Sequence, residues 1–349
     1  MIDERIGRIF AALGFLAALS ACSGGGSSPP HTQGTPTPAP SGATPTPSAS
    51  ATPHAPSLVA VGSAQSHTAA LFPPTANGTV TPVLLTLPSG YIAPFAVAFD
   101  AAGDLFVGVV APASIVEYAA GATAASAPLH TITGGATELS EPVGVGVDGA
   151  GNIYVANAGS AAITVYAPGA NGDVAPIRTI AGGATDINLT TTVLQSLAVD
   201  SAGTIYAAVA DDLRGGGILE FAPGASGNAV PATTLVGTAT GLDGPIAIAL
   251  DANRNLYAIN SNGNTVIEFA AGANGDATPL RTFSSGAFID DPAGLAVDGL
   301  GNIYVSSQTG GIGGSYSVFP ATSSGIGVPT YTVTAAGGVL DQAYGIAVH

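Results

Sequence analysis

The 349-residue sequence has no tryptophan, a single cysteine, a single methionine and six basic side chains, all of them arginine, so lysine is absent. Each scarcity excludes something. With one Cys, the folded part has no internal disulfide and rests on its apolar core. Six arginines against 22 acidic residues give a formal net charge of −16. That balance excludes the cationic stripe which displaces counterions from a nucleic-acid backbone. The apolar run Ile9 to Leu19 falls well short of the roughly 20 residues that span a bilayer as a helix. Only 8% of residues are charged, whereas Gly (49) and Pro (26) abound among short runs of Val and Ile. This composition predicts many short strands joined by tight turns.

The first 56 residues stand apart. Arg5 and Arg8 flank the apolar run, an arrangement that suits the h-region of an export signal. Leu19-Ser20-Ala21-Cys22 then resembles the bacterial lipobox. The resemblance implies a signal peptide over 1–21, cleavage before Cys22, and acyl chains on that residue that hold the protein on a membrane surface. Ser23 follows in place of the inner-membrane retention Asp, so the implied location is extracytoplasmic, on the outer membrane or cell surface. Residues 22–56 are rich in Pro, Thr, Ser, Ala and Gly with no apolar period, which predicts a disordered tether after the Cys. At ~3.1 Å per residue its reach is on the order of 100 Å.

From residue 57 the chain repeats. "VGVGVDGAGNIYVAN" (143–157) returns as "AGLAVDGLGNIYVSS" (293–307), and weaker copies begin at Phe95, Gln195 and Ile246. An Asp closing the first strand recurs at 100, 148, 200, 251 and 298, a period near 50. That length is a propeller blade. Each unit carries four strand signals, A to D. Strand A alternates large and small residues with no polar face, as expected of an inner strand buried on both sides. Strand C ends in an aromatic: Phe72, Tyr118, Tyr166, Phe221, Phe269 and Phe319. Strand D opens with proline: Pro82, Pro128, Pro176, Pro231, Pro279 and Pro329. Proline donates nothing to a ladder, so D is the outer edge. Arg178 and Arg281 are expected on that edge, discouraging pairing with other chains.

The aromatic and the proline occur six times, but the complete A–B hairpin only five. The missing strand A is "YGIAVH" at the C-terminus. The expectation is an all-β, six-bladed propeller over 57–349 with four-stranded antiparallel blades, closed by strand 344–348 joining strands 57–87. The pattern P-x-G-x-A-V-D followed by G-N-I-Y-V resembles NHL-type propeller repeats, a likeness that speaks to fold and not to activity.

Candidate chemistry follows from the loops. The recurring aspartates read as turn residues, accepting from backbone amides one or two positions on. "PGANGD" (168–173) and "AGANGD" (271–276) also read as turns, lacking the spacing and bidentate Glu of a calcium loop. The B–C and D–A loops share one face, here called upper. It collects Glu138, Glu141, Asp186, Asp211, Asp212, Asp243, Asp290, Asp291 and Asp341, with Arg214 the one cation. Glu141 and Asp291 lie three blades apart, hence opposite each other across the axis, and converging carboxylates there offer a place for Ca²⁺; no other cofactor is implied. The axial mouth is expected to hold Phe95, Gln195, Ile246 and Tyr344, with Asn157, Asn260, Asn262, Asn264, Ser306, Ser307 and Gln308 adding amides and hydroxyls.

Six-bladed lactonases of the gluconolactonase family look similar in repeat pattern, and their metal ligands head strand A. The matching positions here are Phe95, Val143, Gln195, Ile246, Ala293 and Tyr344, none a carboxylate. Virginiamycin B lyase is another similar propeller, whose chemistry asks for an axial His base. Here His67 is expected on strand C, His130 on strand D and His349 at the terminus. The sequence therefore favours a monomeric, non-enzymatic, lipid-anchored scaffold. Its acidic, amide-rich face would bind a protein, peptide or glycan. A metal-dependent hydrolase or lyase is the alternative.

Overall fold

A computed structural model describes residues 56–64, 66–187, 192–211, 215–308 and 314–349. The export signal, Cys22, the tether before residue 56, and Asp212 and Arg214 lie outside the described residues.

The chain forms six blades around an axis, and five of them run outward A, B, C, D in chain order. Blade 2 is Ile92–Phe99, Leu105–Ala111, Ser114–Tyr118 and His130–Thr133. Blade 3 is Pro142–Val147, Ile153–Asn157, Ala162–Tyr166 and Arg178–Ile180. Blade 4 is Thr192–Val199, Ile205–Asp211, Gly217–Phe221 and Thr233–Leu235. Blade 5 is Pro245–Leu250, Leu256–Asn260, Thr265–Phe269 and Arg281–Ser284. Blade 6 is Pro292–Val297, Ile303–Ser307, Ser315–Phe319 and Tyr331–Ala335.

Blade 1 is composite. Its strand A is the C-terminal Ala343–Val348, followed outward by Val59–Ser63, Thr68–Phe72 and Val83–Thr86. The ladder pairs Val59 with Val348 and Val61 with Ile346. Below it, Ser57 Oγ lies 3.0 Å from His349 Nδ1, and the His349 ring packs 5.6 Å from that of Phe99 in blade 2. The ring thus closes as the strand count requires.

Period-2 patterning fixes which side chain faces which neighbour, and the result is six separate hydrophobic clusters, one at each blade junction. All six strand C aromatics are fully buried, each in the junction with the preceding blade. Burial pushes the Tyr118 phenol up to about 12, and its hydroxyl donates to Thr86 O at 2.9 Å across the junction. Strand A needs small residues because neighbouring strands A nearly touch: a Cβ on Gly144 would sit 2.7 Å from Leu197 N of the next blade.

The outer edges are closed by a device that goes beyond the local turns expected of 168–173 and 271–276. In five of the six blades the C–D loop reaches back onto strand D of the preceding blade and pairs with it in parallel. Gly78–Val80 adds to blade 6 and Gly325–Ile326 to blade 5. Single bridges Ile132–Gly172, Ile180–Gly227 and Leu235–Gly275 do the same for blades 2, 3 and 4. At the blade 2–3 junction, Gly172 N donates to Thr131 O (2.7 Å) and Thr133 N to Gly172 O (3.1 Å). Asn171 Oδ1 accepts from Thr131 N (2.9 Å), and Asp173 Oδ1 from Ala136 N (2.7 Å). Asn274, Asp276 and Asn228 play the same parts in blades 5 and 4. The residue four before each strand D proline is a glycine with φ between 62° and 77° in five loops. In blade 2 it is Ala124, and there no bridge forms to strand D of blade 1.

Two other expectations change. Arg178 and Arg281 do not stand free on the edge. Arg178 Nη2 donates to Tyr154 OH (3.1 Å), and Arg281 binds Glu268 and the carbonyls of Ala321 and Ser323 in the next blade. The loops already cover the edge, so the arginines are free to join neighbouring strands. His67 lies in the B–C turn of blade 1 with φ 53°, not on strand C, because that strand begins at Thr68.

Candidate binding face

The two faces of the ring use their carboxylates differently. On the lower face, the five recurring aspartates close the A–B turns. Asp148 Oδ1 accepts from Ala150 N and Asn152 N (2.9 Å each). Its Oδ2 accepts from Asn152 Nδ2 (2.8 Å) and Tyr154 OH (2.9 Å). Asp100, Asp200, Asp251 and Asp298 repeat the pair of backbone bonds. Burial works to raise the Asp148 carboxyl, but donors from Asn152, Tyr154 and Ala150 overcome it and hold the group below its ordinary value. Asp200 also meets Arg254 Nε at 3.1 Å. All five are tied into their turns through at least one carboxylate oxygen.

The upper face is built from the D–A connections and B–C turns. Its most regular feature is backbone conformation. The residue two before the axial position is left-handed in five blades: Ala93 (φ 58°), Glu141 (51°), Gly244 (64°), Asp291 (48°) and Gln342 (59°). Four of the five are not glycine, a conformation that is uncommon and costs on the order of 1 kcal/mol or more each. The surroundings hold it. Carbonyls of Glu141, Gly244, Asp291 and Gln342 accept from Ala158 N, Ser261 N, Gln308 N and Ala64 N of the adjoining B–C turns, at 2.9–3.2 Å. In blade 4 the equivalent Val193 stays extended and pairs with Ala210, so that hairpin runs on to the Thr192–Asp211 pair.

The candidate acidic residues separate on this frame. Glu141 is half-buried and desolvation raises its carboxyl above the ordinary value, opposite to Asp148. Asp291 is half-buried, whereas Asp243, Asp290, Asp341 and Asp186 are exposed. Asp243 Oδ1 accepts from Asn262 Nδ2 (2.9 Å). Glu138, also left-handed (φ 58°), accepts from Thr179 Oγ1 (2.8 Å) on its Oε2. Asp211 ends strand B of blade 4 opposite Thr192. Topology sets Glu141 and Asp291 on opposite blades, but among the described residues no three Asp, Glu, His or Cys side chains come together as metal ligands.

At the axis, Phe95 and Tyr344 stack with ring centroids 3.8 Å apart and planes 31° apart. Ile246 is buried, and Gln195 is half-buried with its Nε2 lacking a hydrogen-bond partner among the described residues.

The amide-rich character of the face is largely a misreading of register. Asn157 and Asn260 end strand B but point into the blade junctions and are buried. Asn157 Oδ1 accepts from Ser140 N (3.0 Å) and its Nδ2 donates to Thr164 Oγ1 (3.0 Å). Asn260 does the same with Asp243 N (3.0 Å) and Thr265 Oγ1 (3.1 Å). They tie each D–A connection to strand C. Ser306, Ser307 and Gln308 are buried too, which leaves Asn262 exposed and Asn264 half-buried. The sequence reading also missed G-x-A-T after strand D (134–137, 182–185 and 237–240). Each threonine is buried and donates to the carbonyl of the first glycine at 2.7 Å. A Cβ on Gly134 or Gly237 would strike the Asp173 or Asp276 side chain. Recurrence of that tetrapeptide at one offset was the available signal.

No protein-family model matches the chain, and no curated protein sequence matches it. Solved structures do. A chain of the nidogen/laminin complex has a TM-score of 0.58 at 15% identity, over 83% of this chain and 97% of that one. A protein of unknown function from Bacteroides caccae scores 0.59 at 14% identity, over 84% and 98%. A functionally unknown protein from Desulfotomaculum acetoxidans scores 0.53 at 13%, over 83% and 98%. At such identities the likeness is one of fold, and it bears out the six-bladed propeller.

Proposed function

We propose that the chain is a lipid-anchored propeller of the NHL type on the bacterial envelope, binding a protein, peptide or glycan through its upper face. The observation that carries this reading is the unequal use of carboxylates. Lower-face aspartates are consumed by turn and junction bonds, whereas Asp186, Asp243, Asp290 and Asp341 are exposed on connections whose backbone is held in an uncommon conformation. Preformed loops on a rigid ring bind without a large ordering cost. The similar chain from the nidogen/laminin complex offers a parallel, since that assembly joins two proteins. Residue 57 enters strand B from the lower face, opposite the proposed binding face.

The test uses the full chain displayed on cells and cross-linked in place. Joint replacement of Asp243, Asp290 and Asp341 by Asn is expected to abolish the cross-linked adducts with the fold intact. Asp100→Asn, in a lower-face A–B turn, leaves them unchanged. Adducts that persist in the triple variant overturn the assignment. Cys22→Ser separately is expected to release the protein from the membrane fraction.

A further inference from the structure

Four Asn-Gly pairs occur in the chain, at 77–78, 171–172, 262–263 and 274–275, all within the described residues. This dipeptide is chemically labile. The glycine nitrogen attacks the Asn Cγ, a C–N bond forms, and the side-chain nitrogen leaves as ammonia. Water then opens the cyclic imide at either carbonyl, giving aspartate or isoaspartate. The attack needs a glycine nitrogen free to lose its proton, so a hydrogen bond from that N–H protects the pair.

The fold protects three of the four. Gly172 N donates to Thr131 O (2.7 Å) and Gly275 N to Thr234 O (2.9 Å). Gly78 is paired with Val333 in the parallel ladder on blade 6. Two of the asparagine side chains are also tied down, Asn171 by Thr131 N (2.9 Å) and Asn274 by Thr234 N (3.3 Å). Asn262 and Gly263 are different. Both are exposed in the B–C turn of blade 5. Gly263 is left-handed (φ 82°), and its N–H makes no hydrogen bond to the described residues. The Asn262 side chain is held only through its nitrogen, which donates to Asp243 Oδ1 (2.9 Å).

We propose that Asn262 is a site of spontaneous deamidation on the upper face, the one Asn-Gly pair whose glycine amide the fold leaves open. Conversion replaces a donor to Asp243 with a second carboxylate, so an attractive contact becomes a repulsive one. The turn opens, and the face gains one negative charge as the protein ages. The inference is independent of whether that face binds a partner.

Peptide mapping by mass spectrometry tests it on the full chain, held native at mildly alkaline pH in parallel with a urea-unfolded sample. In the unfolded chain the four pairs are expected to convert at comparable rates. In the native chain the Asn262 peptide is expected to convert several-fold faster than the other three and to yield both aspartate and isoaspartate. Asn262→Gln removes that product and leaves the rest. The proposal is overturned if Asn77, Asn171 or Asn274 keeps pace with Asn262 in the native chain. It is equally overturned if Asn262 survives natively while it converts in urea.

Discussion

Five blade junctions carry a loop that bridges back onto the neighbouring strand D, and the junction between blades 1 and 2 does not. The difference traces to three positions. Where the bridged loops of blades 3 and 5 read Asn-Gly-Asp, blade 2 reads Thr123-Ala124-Ala125. Alanine pays a steric cost of about 1 kcal/mol to enter the left-handed region that the bridging glycine occupies. The loop instead folds on itself, with Ser126 N donating to Thr123 O (2.9 Å) and Thr123 N to Ser126 Oγ (2.9 Å). Cohesion at that junction comes from its buried cluster, the Tyr118–Thr86 bond and the Phe95–Tyr344 and Phe99–His349 ring contacts. The one loop that lacks the left-handed glycine is thus the one that leaves a sheet edge uncovered.

The largest disturbance of this comparison is expected from deleting residues 344–349. It strips the inner strand from blade 1, beside the junction that has no bridge, and opens the ring. The loss should approach the whole stability of a domain, about 5–15 kcal/mol. Thermal unfolding and limited proteolysis read it. A change as small as that from trimming an exposed tail would refute the closure.

Next comes Gly134→Ala at a bridged junction. Its Cβ strikes the Asp173 side chain and its φ of 130° suits only glycine. A cost of about 1–3 kcal/mol is expected in urea unfolding. Asp173→Ala, which removes an acceptor from Ala136 N, should cost about 1 kcal/mol.

Sharpening the comparison means building the missing bridge. The triple variant Thr123→Asn, Ala124→Gly, Ala125→Asp should gain up to about 1 kcal/mol, since new bonds replace a turn that is lost. Hydrogen exchange at Leu84 and Thr86 should slow. Unchanged exchange there would show that something besides sequence keeps the loop away.

The smallest effect separates the two faces by pH. Burial raises the Glu141 carboxyl, so the folded state holds that proton more tightly than the unfolded chain. Its contribution to stability falls as pH rises through the ordinary carboxylate range and stays low at neutrality. Glu141→Gln should therefore raise the melting temperature slightly at pH 7 and leave it unchanged in acid. Asp148, held below its ordinary value, contributes in the opposite sense, with stability present at neutrality and lost as pH falls. A Gln variant less stable at pH 7 would mean that Glu141 is paired rather than merely desolvated.

Much of the fold was legible because it is periodic. The strand C aromatics and strand D prolines mark the blades, and an unpartnered "YGIAVH" gives away the closure. The upper face was less legible, since its character turns on single-residue geometry. Asn157 at the end of strand B reads as a face amide, yet the side-chain alternation sends it into a junction. Glu141 and Asp291 share a slot by spacing, but their left-handed backbone appears only once the B–C turns dock on their carbonyls. Asn171-Gly172-Asp173 looks like a local turn because its partners, Thr131 and Ala136, lie a blade away.

The composite first blade has a mechanical meaning. Val59–Ser63 follows directly on the chain that leads to the N-terminus, and it is laddered antiparallel on both sides, to Thr68–Phe72 and to Ala343–Val348. A pull arriving through residue 57 runs along that strand and loads two rows of hydrogen bonds in shear, all at once, instead of peeling them one at a time. Any such pull would meet the molecule at the point where it is sewn shut.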